Sequence, residues 1–176
     1  MRKFLQWAAF AMATVLGTGV GNAQAIQDIN LSANVASYCT INGSLTGTAL
    51  NETIPVTNGI VNTAVITDTI ANVACNTTAD VTATSLQGGV TIAGAPAPGT
   101  TNIINYTAVA TFDTAVSTIN TASTPAASGS EAGNTATTSS AATGNLVVQI
   151  TPAQPSLPIM PSAFYADTLR VTLLAN

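Results

Sequence analysis

Histidine is absent from all 176 residues, and charge nearly so: Asp, Glu, Lys and Arg together make up 6% of the chain. Beyond position 3 there is no lysine and a single base, Arg170. Without histidine the commonest general base is missing, and with it the Ser-His-Asp and Cys-His arrangements. Without lysine, Schiff-base and Ser-Lys schemes go as well. Aromatic residues are scarce at 5%, and the one tryptophan lies at position 7. Sugar clefts usually want aromatic platforms, and nothing in the spacing of the seven acids suggests a glycosidase pair. Ser130, between Gly129 and Gly133, sits one place too early for a nucleophile elbow. Gly88-Gly89 is too short for a phosphate cradle. Two cysteines without histidine cannot complete a closed zinc site, and no EF-hand-like run of acids occurs. The expectation is a protein that is not an enzyme, with no catalytic, cofactor-binding or metal site.

The first 25 residues read as a secretory signal peptide. Arg2 and Lys3 form a charged start, Phe4 to Leu16 an apolar stretch, and Ala23-Gln24-Ala25 a small-x-small cleavage site. The apolar stretch falls short of the ~20 residues a membrane span needs. Cleavage after Ala25 leaves one base against seven acids, a net charge of −6. No basic patch remains to neutralise phosphates, which argues against nucleic-acid binding. In an exported chain the even cysteine count predicts a Cys39–Cys75 disulfide, with two buried free thiols as the alternative.

What the sequence does have is Thr, Ala, Val, Ile and Asn in short runs broken by turn residues, with no convincing helical period. Strands are predicted in "DINLSANVAS", "YCTINGSL", "TIPV", "IVNTAVI", "TIANVAC", "DVTATSL", "VTIA", "IINYTAVATF", "NLVVQIT" and "DTLRVTLL". Asn42-Gly43 and Asn58-Gly59 mark turns, the Asn-Gly pair being the strongest short-range hairpin signal. Such spacing suggests a sandwich or barrel. Residues 114–144, rich in Ala, Thr and Ser, are expected to be a surface loop with room for one short strand. In the last strand Leu169, Val171 and Leu173 share one face. Ile29, Leu31, Ala33 and Val35 share one face of the first.

Four segments together resemble the spore coat protein U domain family, which includes pilins of the archaic chaperone–usher pathway. They are "INLSANVAS" leading into Cys39, "ANVACNTTADVTATSLQGG", "INYTAVATFD", and "ITPAQPSLPIMPSAFYADTLRVTL" with its Tyr-x-Asp-Thr start to the terminal strand. The resemblance implies an all-β fold: an incomplete immunoglobulin-like β-sandwich over residues 38–176, lacking its final strand. Residues 26–37 would be a donor strand, plugging the neighbouring subunit with Ile29, Leu31, Ala33 and Val35. Leu169, Val171 and Leu173 would line the acceptor groove. The implied partners are identical or related pilin subunits, a periplasmic chaperone and an outer-membrane usher. The implied role is a structural subunit of a secreted fibre serving adhesion and biofilm formation. From the residues alone, the alternative for 26–37 is the domain's own first strand, and the alternatives for the role are a coat or matrix protein or a monomeric ligand-binding sandwich. N-terminal sequencing of the exported protein is expected to begin at Ile26.

Overall fold

A computed structural model describes residues 31–122, 130–161 and 164–176. Val35–Asn176 forms one compact unit. Among the described residues twelve strands follow in chain order: β1 (Cys39–Ile41), β2 (Val56–Thr57), β3 (Ile60–Val61), β4 (Ile66–Cys75), β5 (Ala79–Ser85), β6 (Val90–Thr91), β7 (Ile103–Ile104), β8 (Tyr106–Phe112), β9 (Ala115–Asn120), β10 (Glu131–Thr137), β11 (Ala142–Pro152) and β12 (Leu169–Ala175). Among the described residues there is no helix.

Two antiparallel sheets hold the molecule together, a five-stranded one in the order β1-β4-β11-β8-β9 and a three-stranded one in the order β10-β5-β12. They share a single hydrophobic core, as in a β-sandwich. Alternation explains which residues enter it. In β8, Tyr106, Ala108, Ala110 and Phe112 are buried while the residues between them are not. In β5, Ala79, Val81, Ala83 and Ser85 are all fully buried. Alanine at so many core positions lets the sheets close up: Cα atoms of β5 come within 8 Å of those of β8 and β9. At that spacing the Ser117 hydroxyl bridges the sheets, accepting from the Ala83 N–H at 2.9 Å and donating to the Asn134 carbonyl at 2.6 Å.

Both Asn-Gly pairs form the turns their chemistry favours. Asn42 and Asn58 have φ of 51° and 52°, and each following glycine has φ of 76°. Positive φ at both central residues is the two-residue hairpin turn whose twist matches its flanking strands. Cys39 and Cys75 lie directly opposite in the β1–β4 register and are joined by a disulfide, with Cα atoms 4.1 Å apart. That short distance fits a non-hydrogen-bonded antiparallel pair, as the Asn76 N–H bond to the neighbouring Tyr38 carbonyl requires. Closing the 36-residue separation stabilises by about 4 kcal/mol in the chain-entropy model. A disulfide also fits a non-reducing compartment.

The expected loop over 114–144 is corrected by the structure: it contains β9, β10 and the start of β11. Its small residues serve close packing, since Ala115 and Ser117 are buried in alternation along β9, with the larger Ile119 following on the same face. β10 carries a bulge between Ala132 and Thr135 in its pairing with β5. The bulge brings Gly133 onto β9 so closely that a Cβ there would overlap the Thr118 carbonyl oxygen. Beside it, the Asn134 carboxamide donates to the Val116 carbonyl at 3.1 Å and accepts from the Thr118 N–H at 2.7 Å. It thereby occupies the β9 edge much as a further strand would. This side of the structure is closed. Gly133→Ala is expected to cost on the order of 2–3 kcal/mol in urea denaturation, because a backbone carbonyl rather than a flexible side chain blocks the new methyl.

Candidate functional site

Among the described residues the opposite side is open. β12 is the edge of the three-stranded sheet, paired with β5 along its length. Leu169, Val171 and Leu173 pack against the core, yet each is only partly buried. The alternation expected for the last strand is therefore present, and these three residues stand together on one inner face.

Two hydrogen bonds fix which backbone groups of β12 are committed. The Leu86 N–H donates to the Thr168 carbonyl at 3.0 Å, and the Asn176 N–H donates to the Thr78 carbonyl at 2.9 Å. Antiparallel bonding alternates along the strand, so Arg170, Thr172 and Leu174 turn their N–H and C=O groups toward β5. Leu169, Val171, Leu173 and Ala175 turn theirs toward the open edge. The residues that offer half-buried apolar side chains are thus the ones that offer backbone donors and acceptors.

Across the opening lies β4. β1 covers its edge only from Val73 to Cys75, extended by the Asn42 N–H bond to the Asn72 carbonyl at 3.0 Å. A bulge then bends β4: its pairing with β11 skips a residue between Gly144 and Leu146, and Asn72 has a φ of 55°. Beyond the bulge, Ile66, Asp68 and Ile70 face inward, partly buried. Ile70, with Ile150 of β11, packs against the same core as Leu169, Val171 and Leu173. The half-buried Asp68 is an inward charge on an open edge, a feature that opposes indiscriminate strand addition. A separate shallow depression at the β4 bulge, lined by Thr40, Asn72, Thr143 and Asn145 among others, carries no ionisable side chain.

A polar hub holds the start of β12 in place. The Asp167 carboxylate accepts from the hydroxyls of Tyr106 and Ser85, each at 2.6 Å, and from the N–H groups of Gln87 at 3.0 Å and Thr168 at 2.7 Å. Ser85 accepts in turn from Gly88 and Gly89 at 2.8 and 3.1 Å. Gly89, at φ 137°, abuts Ile103 so closely that a Cβ would lie 2.8 Å from Cδ1. The Gly-Gly turn is therefore a packed part of the hub. Burial, and after it the bond to Asp167, raises the Tyr106 hydroxyl above the ordinary phenol range. At the far end of β12 the Asn176 carbonyl accepts from the Thr77 hydroxyl at 2.9 Å and the Ser37 hydroxyl at 3.3 Å.

Of the residues expected to form a donor strand, Ile29 lies outside the described residues. Leu31, Ala33 and Val35 lie outside any strand and are exposed, Leu31 at 91% and Val35 at 73%. The disulfide joins the expected pair, Cys39 and Cys75. Ile70, Ile150, Asp68 and the Asp167 hub were not singled out from sequence. Only the Tyr-x-Asp-Thr pattern before β12 hinted at Asp167. Compared with family models, curated proteins and solved structures, the chain matches none.

The native state holds the Tyr106 proton more tightly than the unfolded chain does. That stabilisation is complete below the unfolded phenol's pKa of about 10 and is lost as pH rises beyond it. Tyr106→Phe is expected to lose ~1.5–3 kcal/mol at neutral pH, the range for a hydrogen bond to a charged group. Urea midpoints measured between about pH 8 and 11 should show a shallower alkaline decline in the variant than in the native protein.

Proposed function

We propose that this protein is the subunit of an exported surface fibre assembled by donor-strand complementation, an incomplete immunoglobulin-like sandwich of the spore coat protein U domain type. The observation that carries this reading is the β12 edge. There Leu169, Val171 and Leu173 are half-buried at the margin of the core, and their own backbone groups face a side that no described strand fills. An added strand would gain main-chain hydrogen bonds and bury apolar side chains in one step.

Residues 26–37 have the matching pattern. Ile29, Leu31, Ala33 and Val35 recur every second residue, as do Leu169, Val171, Leu173 and Ala175 on β12. Equal spacing lets four plugs meet four positions in one register. Exposure of Leu31 and Val35 leaves those plugs unburied in the isolated chain. The extension joins the body at the end of β12 marked by Ser37 and Asn176, so a neighbour's body cannot also sit there. A donor from that neighbour therefore enters from the Leu169 end and runs antiparallel to β12. Contacts of this kind do not close on themselves and build filaments. Before assembly the same edge needs protection, the part a periplasmic chaperone would play, with an outer-membrane usher exporting the polymer. Adhesion and biofilm formation are the roles that follow for the fibre.

Removing residues 26–35 is expected to leave a folded protein that forms no fibres in electron micrographs. Val171→Asp, which puts a charge into the groove, should accept no donor while still supplying its own extension to a native subunit. Fibres assembled from the truncated chain would refute this reading.

A further inference from the structure

Resting on that reading, we propose that Asn76 is a positioning residue that fixes the direction in which the extension leaves the body, and so sets the angle between successive subunits. Its carboxamide is engaged at both ends. The side-chain N–H₂ donates to the Ala36 carbonyl at 2.8 Å, and the side-chain oxygen accepts from the Tyr38 N–H at 2.8 Å. Its backbone N–H also donates to the Tyr38 carbonyl at 3.1 Å. One residue thus holds three main-chain groups of the segment that precedes β1, one on Ala36 and two on Tyr38.

Two further contacts surround this clamp. Cys75, the residue before Asn76, is bonded covalently to Cys39, the residue after Tyr38. Ser37, between the two clamped residues, donates to the Asn176 carbonyl at the end of β12. The segment 36–38 is therefore tied to both sheets, since β4 belongs to one and β12 to the other. It is exposed or nearly so throughout, with Tyr38 at 45%, and no apolar burial orients it. Its direction depends on these polar bonds, and Asn76 makes three of them. Glutamine is a methylene too long to span the same two groups. Aspartate keeps the acceptor for Tyr38 and loses the donor for Ala36.

The test compares native protein, Asn76→Ala and Asn76→Asp. In isolated subunits, amide exchange at Tyr38 should quicken by about tenfold or more in Asn76→Ala, while the β5 and β12 amides keep their protection. Asn76→Asp should retain most of the Tyr38 protection. In fibres, native subunits should meet at one narrowly distributed angle by cryo-electron microscopy. Asn76→Ala should broaden or shift that angle, with Asn76→Asp between the two. Uptake of a peptide of residues 26–37 into the groove should be unchanged in both variants, because neither alters β12. Unaltered Tyr38 exchange, or native subunit angles in the fibres of both variants, would overturn the inference. Failure of the native protein itself to form fibres would instead overturn the fibre reading, while the exchange experiment still decides whether Asn76 holds the segment. If Asn76→Ala does not fold, Asn76→Asp against native decides through the subunit angle.

Discussion

The four hydrogen bonds to the Asp167 carboxylate determine where the last strand lies. They come from four places: Tyr106 of β8, Ser85 of β5, the Gln87 turn and Thr168 at the head of β12. A carboxylate half removed from water needs donors, and here each donor belongs to a different part of the fold. Satisfying one group therefore joins the five-stranded sheet, the three-stranded sheet and the Gly-Gly turn. Among the described strands β12 has a neighbour on one side only, and it could otherwise slide along β5. With its head fixed by Asp167 and its end by Asn176, its register is set within the chain itself.

The two sides of the structure treat their edges in opposite ways. On one, the β10 bulge carries Asn134 onto β9, and a side-chain amide takes the place of strand pairing. Gly133 makes that approach possible. On the other, three strands face five, so among the described residues the inner face of β4 and the Ile150 end of β11 lack a full cover. Small side chains reinforce the difference: Ala79, Ala83, Ala108, Ala110 and Ala115 let the sheets approach at β5, β8 and β9, while Ile70, Ile150, Leu169, Val171 and Leu173 are only partly buried at the open margin. Protection there is modest, an inward-facing Asp68 and the bend at Asn72.

Several core strands were legible because the physics behind them is local, although the first predicted strand is unpaired over its described residues 31–37. Alternation in "IINYTAVATF" marks Ile104, Tyr106, Ala108, Ala110 and Phe112, and all five are buried. The two Asn-Gly turns follow from the ease with which those residues adopt positive φ. The terminal strand and its apolar face were equally plain. The segment 114–144 misled because low apolar content suggests little to bury, whereas between closely spaced sheets Ala and Ser fill the available room. Asp167 and Asn76 were harder still. Each is one polar residue among many, and its importance comes from partners far away in sequence, Tyr106 for the first and Ala36 for the second. No pattern along the chain encodes such meetings.

The disulfide acquires a mechanical meaning if the chain is strung into a filament. Tension on the extension would reach the body at Tyr38 and pass into Cys39. Three-residue β1 offers only a few hydrogen bonds to resist being peeled from β4, and peeling breaks such bonds one at a time. The Cys39–Cys75 bond carries the pull past them, straight into a ten-residue strand paired along its length with β11. Stretching would then load that long pairing in shear, where many hydrogen bonds share the force. An oxidised filament and a reduced one could have equal length and unequal strength.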